Sequence, residues 1–284
     1  MSQTRSLGVV HSIFTNGLNI SFGDYLVFVG TEYGNGVPFG IHIESYLYDR
    51  LAAETFIGEV VEWNGLRKRL SFVNCNVHIH ILLMQEFHCR LEPPPGTAPD
   101  LNGWAARLGE MAVRITKEPG LGLSLESILS WPAGTEGDSE LERQLASLSQ
   151  ALKTPNLPLD TSLVKYFIGR GQGLTPSGDD FLVGIMAIEH LLGLADSGVS
   201  RTVRLLLQEL TALTTQVSVN YYYSACPGDF STVILDLLAS LLEMPDFDLE
   251  ECAEALLNVG STSGVDTYFG LWFAILSYKN VIGF

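Results

Sequence analysis

The sequence predicts an α+β protein: an N-terminal small β barrel or sandwich followed by an all-α helical domain. Three observations carry that prediction. Short β-branched and aromatic runs joined by Asn-Gly pairs fill the first ninety residues. A run of prolines follows, and beyond it apolar residues recur at helical spacing. We place a β-rich domain at 1–91, a Pro-rich linker at 92–100 and an α-helical domain at 101–284.

The elements follow in order. Strands at 6–14 and 18–22 flank Asn16-Gly17, a dipeptide suited to a type I′ turn because both central residues there need positive φ. Further β runs lie at 25–29 and 37–43, and residues 45–55 carry a helical pattern. Strands at 59–63 and 67–73 flank a second Asn-Gly at Asn64-Gly65, and an alternating run at 76–84 closes the set. Proline at the density of 92–99 continues neither strand nor helix and reads as a stiff linker. Helices are then expected at 105–116, 141–152, 163–168, 179–194, 201–216, 230–242, 249–258 and 265–279, with a loop at 131–139.

At 284 residues, with 46% hydrophobic and 17% charged, the chain has ample core-forming material for two domains. A net charge of −16 argues against sequence-independent attraction to nucleic acid or an anionic membrane. Cys75, Cys89, Cys226 and Cys252 are scattered, with no C-x-x-C pair, which argues against a zinc ribbon or a disulfide framework. The first ten residues lack a signal-peptide apolar run, and 79–84 is too short to span a bilayer. A soluble cytoplasmic location is the expectation.

The densest functional signal is a repeat. Ser177-Gly178-Asp179-Asp180 with Gly184, and Ser263-Gly264-Val265-Asp266 with Gly270, both read Ser-Gly-x-Asp-x-x-x-Gly. Each lies in a Gly/Ser/Thr-rich loop entering an apolar helix, where backbone amides are left without intrahelical partners. Taken singly, each is close to a capping box, with serine at the cap and an acid reaching back. Taken together they imply more. Gly178 and Gly264 occupy first-turn positions where a cap needs no glycine, and there a missing Cβ admits a ligand to the backbone. Gly184 and Gly270 lie four residues beyond the acids and fit a close helix crossing that holds the two starts side by side.

The expected site therefore has Gly173, Thr175, Ser177, Gly178, Asp179, Ser261, Thr262, Ser263 and Gly264 around a substrate. Asp180 and Asp266 are the catalytic candidates. Carboxylates beside a bound phosphate repel it unless they are protonated, hydrogen-bonded or bridged by a cation such as Mg2+. The site thus takes either a neutral amide-bearing group beside an anion, or a metal. Arg170 is the nearest counter-charge in sequence, and equally suits a solvated surface. Residues 214–223, rich in threonine and tyrosine at the end of a long helix, serve either a pocket or the core. His78 and His80 share a strand face but lack a third ligand, and Cys226 has no histidine near it in sequence.

Gly-Leu-Thr-Pro-Ser-Gly-Asp-Asp at 173–180, Thr-Thr-x-Val-Ser at 214–218 and Gly-Ser-Thr-Ser-Gly-Val-Asp-Thr at 260–267 resemble the AllH-like family. The resemblance covers most of the helical domain; the β domain fits only in general character. It implies a component of a heteromeric oxamate carbamoyltransferase of allantoin breakdown, interconverting oxalurate plus phosphate with oxamate plus carbamoyl phosphate. It further implies a small carbamoyl- or phosphate-bearing substrate and acyl-CoA-synthetase-like partner subunits. Two rivals stand beside it. Asp179-Asp180 and Asp266-Thr267 also resemble the acidic sets of magnesium-dependent ADP-ribosyl hydrolases, although Gly264 replaces the first late acid. A non-catalytic assembly subunit with ordinary helix caps is the other.

Overall fold

The computed structural model describes residues 5–31, 35–92, 98–123, 139–154, 159–279 and 281. The heart of the expected linker (93–97) and most of the expected loop at 131–139 lie outside the described residues. The chain divides into two compact units, Met1–Cys89 and Arg90–Phe284.

The first unit is one curled seven-stranded sheet. Its strands are β1 (Arg5–Phe14), β2 (Gly17–Phe22), β3 (Tyr25–Thr31), β4 (Gly40–Ile43), β5 (Val60–Asn64), β6 (Arg69–Phe72) and β7 (Val77–His80). They lie in the order β4-β3-β2-β1-β5-β6-β7, antiparallel except for the parallel β3–β4 pair. That parallel step needs a connection longer than a hairpin. Val10, Leu18, Ile20, Val29, Val61, Leu70 and Phe72 form the core, covered by Tyr48 and Leu51 of α1 (Ser45–Glu54). The Tyr48 hydroxyl donates to the carbonyls of Phe14 (2.6 Å) and Gly17 (2.7 Å), fastening the helix over the first hairpin.

Both Asn-Gly pairs sit at turns, but neither is the type I′ centre expected. Phe14 pairs with Gly17, so Thr15-Asn16 is the two-residue loop and neither Asn16 nor Gly17 has positive φ. Gly17 is needed for space instead: a Cβ there would lie 2.2 Å from the Phe28 ring. At the second pair, Asn64 ends β5 and its side chain accepts from the Arg67 amide (3.0 Å). The longer loop places positive φ on Lys68.

The second unit is helical. Its helices are α2 (Leu101–Ala112), α3 (Glu140–Leu152), α4 (Thr161–Phe167), α5 (Ser177–Leu191), α6 (Gly198–Leu206), α7 (Leu210–Leu213), α8 (Gln216–Ala225), α9 (Thr232–Leu241), α10 (Leu249–Leu257) and α11 (Ser263–Tyr278). Among the described helices, the α5–α11 pair makes the most extensive contact. Both helices are apolar nearly all round, the pattern of helices enclosed by others. Their crossing is backbone on backbone. A Cβ on Gly184 would lie 2.3 Å from the Thr267 carbonyl oxygen, and one on Gly270 would lie 2.0 Å from that of Phe181. Phe181, Phe269 and Phe273 pack their rings 5.2 to 6.0 Å apart along this seam. Tyr268 and Trp272 then donate to the Leu108 and Ala105 carbonyls, tying α2 against α11.

Two helix expectations are corrected. The one at 105–116 runs instead over Leu101–Ala112, because the Asp100 side chain accepts from the Gly103 amide and starts it earlier. The one at 201–216 is broken: Thr214 is extended and Thr215 caps a new helix, α8, by accepting from the Ser218 amide. The polar and aromatic segment at 214–223 therefore begins a helix rather than ending one. No described helix is long and apolar enough to cross a membrane.

Candidate functional site: two helix starts that share their acids

The Gly184/Gly270 crossing brings the starts of α5 and α11 together. Neither serine acts as a cap, and neither helix has a side-chain cap at all. The motifs instead exchange partners. The hydroxyls of Ser177, on α5, and Thr262 serve the carboxyl of Asp266 on α11. Those of Ser263, on α11, and Thr175 serve the carboxyl of Asp180 on α5. Thr175 and Ser263 also bond each other at 2.8 Å. Each acid thus takes one hydroxyl from the opposite motif beside one from its own loop, and the first is a contact that local capping chemistry does not provide.

The three acids differ in what remains free. Asp266 is buried and also accepts from the Gly120 and Leu121 amides, both at 3.2 Å. Asp179 is buried as well and accepts from the Gly169 amide (2.9 Å), the Tyr222 hydroxyl (2.7 Å) and the Thr214 hydroxyl. Both are braces, saturated by protein groups. Burial raises the pKa of each above the ordinary aspartate value, and the hydrogen bonds partly offset that rise. Asp180 differs: its Oδ2 is buried with no hydrogen-bond partner among the described residues. Burial first, and then the nearby charges of Asp266 and Asp179, push its carboxyl well above the usual range.

The first-turn glycines serve packing rather than ligand access. The Gly178 amide donates to the Arg170 carbonyl (2.8 Å), and a Cβ there would lie 2.0 Å from the Phe167 oxygen. Gly264 repeats this with the Val259 carbonyl (3.0 Å) and the Leu256 oxygen (2.0 Å). Each glycine lets its helix start press onto the end of the preceding helix. Because these amides, and those of Asp179 and Asp180, are spent on protein carbonyls, the helix starts offer an anion fewer donors than their sequence implies.

Two spaces flank the paired motif. An open cleft of about 800 Å³ is lined by Gly120, Leu121, Arg170, Gly173, Ser261 and Thr262, among others. Arg170 lies over the Tyr166 ring at 4.7 Å, with no ion pair among the described residues. A smaller cavity of about 190 Å³ reaches Thr175, Asp180, Tyr221, Asp229, Ser263 and Thr267. The expected site residues therefore divide. Gly173, Ser261 and Thr262 face the cleft, Thr175, Asp180 and Ser263 line the cavity, and Ser177, Gly178, Asp179, Gly264 and Asp266 line neither.

Several contributors were not singled out from the sequence: the Gly120 and Leu121 amides and Asp229. Pro119-Gly120 was the available signal for the first pair, a turn dipeptide that presents backbone amides. Elsewhere, His78 and His80 lie on the exposed face of β7. Cys226 is buried, and that burial pushes its thiol up to about 11, away from nucleophilic use. Among the described residues, no group of three or more His, Cys, Asp or Glu side chains is placed to hold a metal.

No solved structure gives a significant match to this chain. A family model does, over residues 167–275, and its description is oxamate carbamoyltransferase subunit AllH. The matched span holds both Ser-Gly-x-Asp motifs, their crossing and the α8 start that braces Asp179. The part of the chain in which the two helix starts exchange acids is thus similar to the AllH family, and the match supports an AllH-like family.

Proposed function

We propose that this chain works as a subunit of an oxamate carbamoyltransferase and binds a small carbamoyl-bearing ligand at the paired helix starts, with Asp180 orienting it. The observation that carries the placement is the unpartnered, buried Oδ2 of Asp180 in the wall of the 190 Å³ cavity. Buried carboxyl oxygens are ordinarily hydrogen-bonded, and a carbamoyl NH2 supplies the missing donor. Arg170 in the adjoining cleft supplies a counter-charge for an anionic end. Thr262 and Ser263, consecutive in sequence, border the cleft and the cavity respectively. One short ligand could touch both.

In the forward reaction a phosphate oxygen bonds to the carbamoyl carbon of oxalurate, and the bond from that carbon to the oxamate nitrogen breaks. The proton released from phosphate passes to that nitrogen, giving oxamate and carbamoyl phosphate. For this step the chain would hold the carbamoyl group by its NH2. Asp179 and Asp266, being saturated, contribute by fixing the two helix starts.

The test is Asp180→Asn in the complex assembled with its partner subunits. We expect turnover to fall by about 100-fold or more, the scale of losing one positioned group, with the thermal midpoint of the chain little changed. Wild-type turnover would remove Asp180 from the reading.

A further inference from the structure

The charge distribution of the small cavity carries one step more, and it rests on the site proposed above. We propose that this cavity is selective for an uncharged carboxamide or ureido group and rejects an anionic one, with Asp180 as the specificity-determining residue. Among the described residues, no lysine, arginine or histidine lines it. Its two acidic lining residues are unequal. Asp229 is paired with Arg90 at 2.8 Å, while Asp180 has an oxygen without a partner. Around Asp180 stand the hydroxyls of Thr175, Ser263 and Thr267, facing an apolar wall that includes Val183, Phe230 and Leu256.

A carboxamide fits this set in both directions. Its NH2 donates to the Asp180 carboxyl, and its carbonyl accepts from the Thr267 hydroxyl, since those of Thr175 and Ser263 already serve Asp180 and each other. A carboxylate or phosphate in the same place would be a buried charge with no described lining cation to offset it, beside a carboxyl whose own ionisation burial already opposes. A methyl group would leave the Asp180 oxygen unpaired, which costs more than the bond gains. The cavity therefore reads the amide end of a ligand and leaves the anionic end to the Arg170 cleft.

Three near-isosteric probes separate these cases: oxamate, pyruvate, in which methyl replaces NH2, and oxalate, in which a carboxylate oxygen replaces it. Calorimetric titration of the full chain should give oxamate at least about tenfold tighter binding than either. Asp180→Leu, similar in size and without polar oxygens, should bring oxamate and pyruvate within about threefold of each other. Pyruvate or oxalate within about twofold of oxamate on the wild-type chain would overturn the proposal. So would a failure of all three to bind, or full discrimination in a folded Asp180→Leu chain. The wild-type ratios decide even where the leucine variant does not fold. Turnover of the assembled complex reports separately. A working complex whose chain does not prefer oxamate sinks the pocket alone, and an idle complex whose chain does prefer it sinks the reaction alone.

Discussion

Asp179, Asp180 and Asp266 are neighbouring carboxyls with different duties, and their hydrogen-bond inventories say which is which. Asp179→Ala would leave the Gly169 amide and the Tyr222 and Thr214 hydroxyls without their acceptor. We expect a loss of roughly 2–4 kcal/mol in chemical denaturation, from burying unpaired donors. Asp180→Asn should leave stability within about 1 kcal/mol of wild type, since it strands far fewer donors. A variant pair with the opposite ranking would exchange the brace and the ligand group. Glu189 of α5 is a fourth buried acid, remote from this chemistry. It accepts from the Val199 and Ser200 amides and the Tyr278 hydroxyl, at 2.8, 2.6 and 2.8 Å. Burial pushes its carboxyl up to about 7. The folded chain then keeps a proton that the unfolded chain releases near 4.5, so folding binds protons between these values. Stability contributed by this group is full below about 4.5 and declines as pH rises to about 7, by roughly 3 kcal/mol. Denaturation midpoints measured from pH 4.5 to 7.5 should fall with rising pH, and Glu189→Gln should flatten that slope.

Among the elements, the α5–α11 crossing decides whether a site exists. Alanine is the better helix former by about 1 kcal/mol, so propensity alone predicts that Gly184→Ala and Gly270→Ala stabilise. Packing predicts the reverse, because each added Cβ would fall within 2.3 Å of a carbonyl oxygen of the facing helix. Overpacking of this kind costs about 1–3 kcal/mol or more, and it outweighs the propensity gain. Both variants should unfold at lower denaturant concentration than wild type, and Gly270→Ala should also weaken oxamate binding by moving Ser263 away from Asp180. A stabilised glycine-to-alanine variant would mean that the crossing can relax without cost. The glycine spacing made this crossing legible in the sequence. The start of α8 was not legible there, because an apolar helical period runs unbroken through 201–213. In the structure the helix breaks after Leu206, and at Thr214 the backbone is extended and the hydroxyl bonds Asp179, a residue 35 positions away.

For the whole molecule, the hydrophobic residues form two separate buried clusters, one within each compact unit. Separate cores unfold as separate cooperative units unless an extensive interface couples them. We therefore expect two calorimetric transitions, with Gly184→Ala shifting only the one that belongs to the helical unit. A single transition displaced as a whole would show one cooperative body. The matched family span, residues 167–275, lies wholly in the helical unit, so the proposed ligand chemistry belongs there.

The sequence by itself determined the β-then-α order, the helix starts at the two repeats and the close glycine crossing. Each follows from local residue chemistry: β-branched runs, apolar period, and glycine where a backbone must be approached. It also pointed to three acids but could not rank them. A capping box and an exchanged serine–aspartate pair have the same spacing along the chain. Only the tertiary structure decided between them, by bringing Ser177 to Asp266 and Ser263 to Asp180 across the crossing. It also spent the glycine amides on packing, saturated Asp179 and Asp266, and left one oxygen of Asp180 without a partner, in a cavity without lining cations, among the described residues. Which polar group stays free depends on which partners are already taken, and those partners come from segments far apart in the chain.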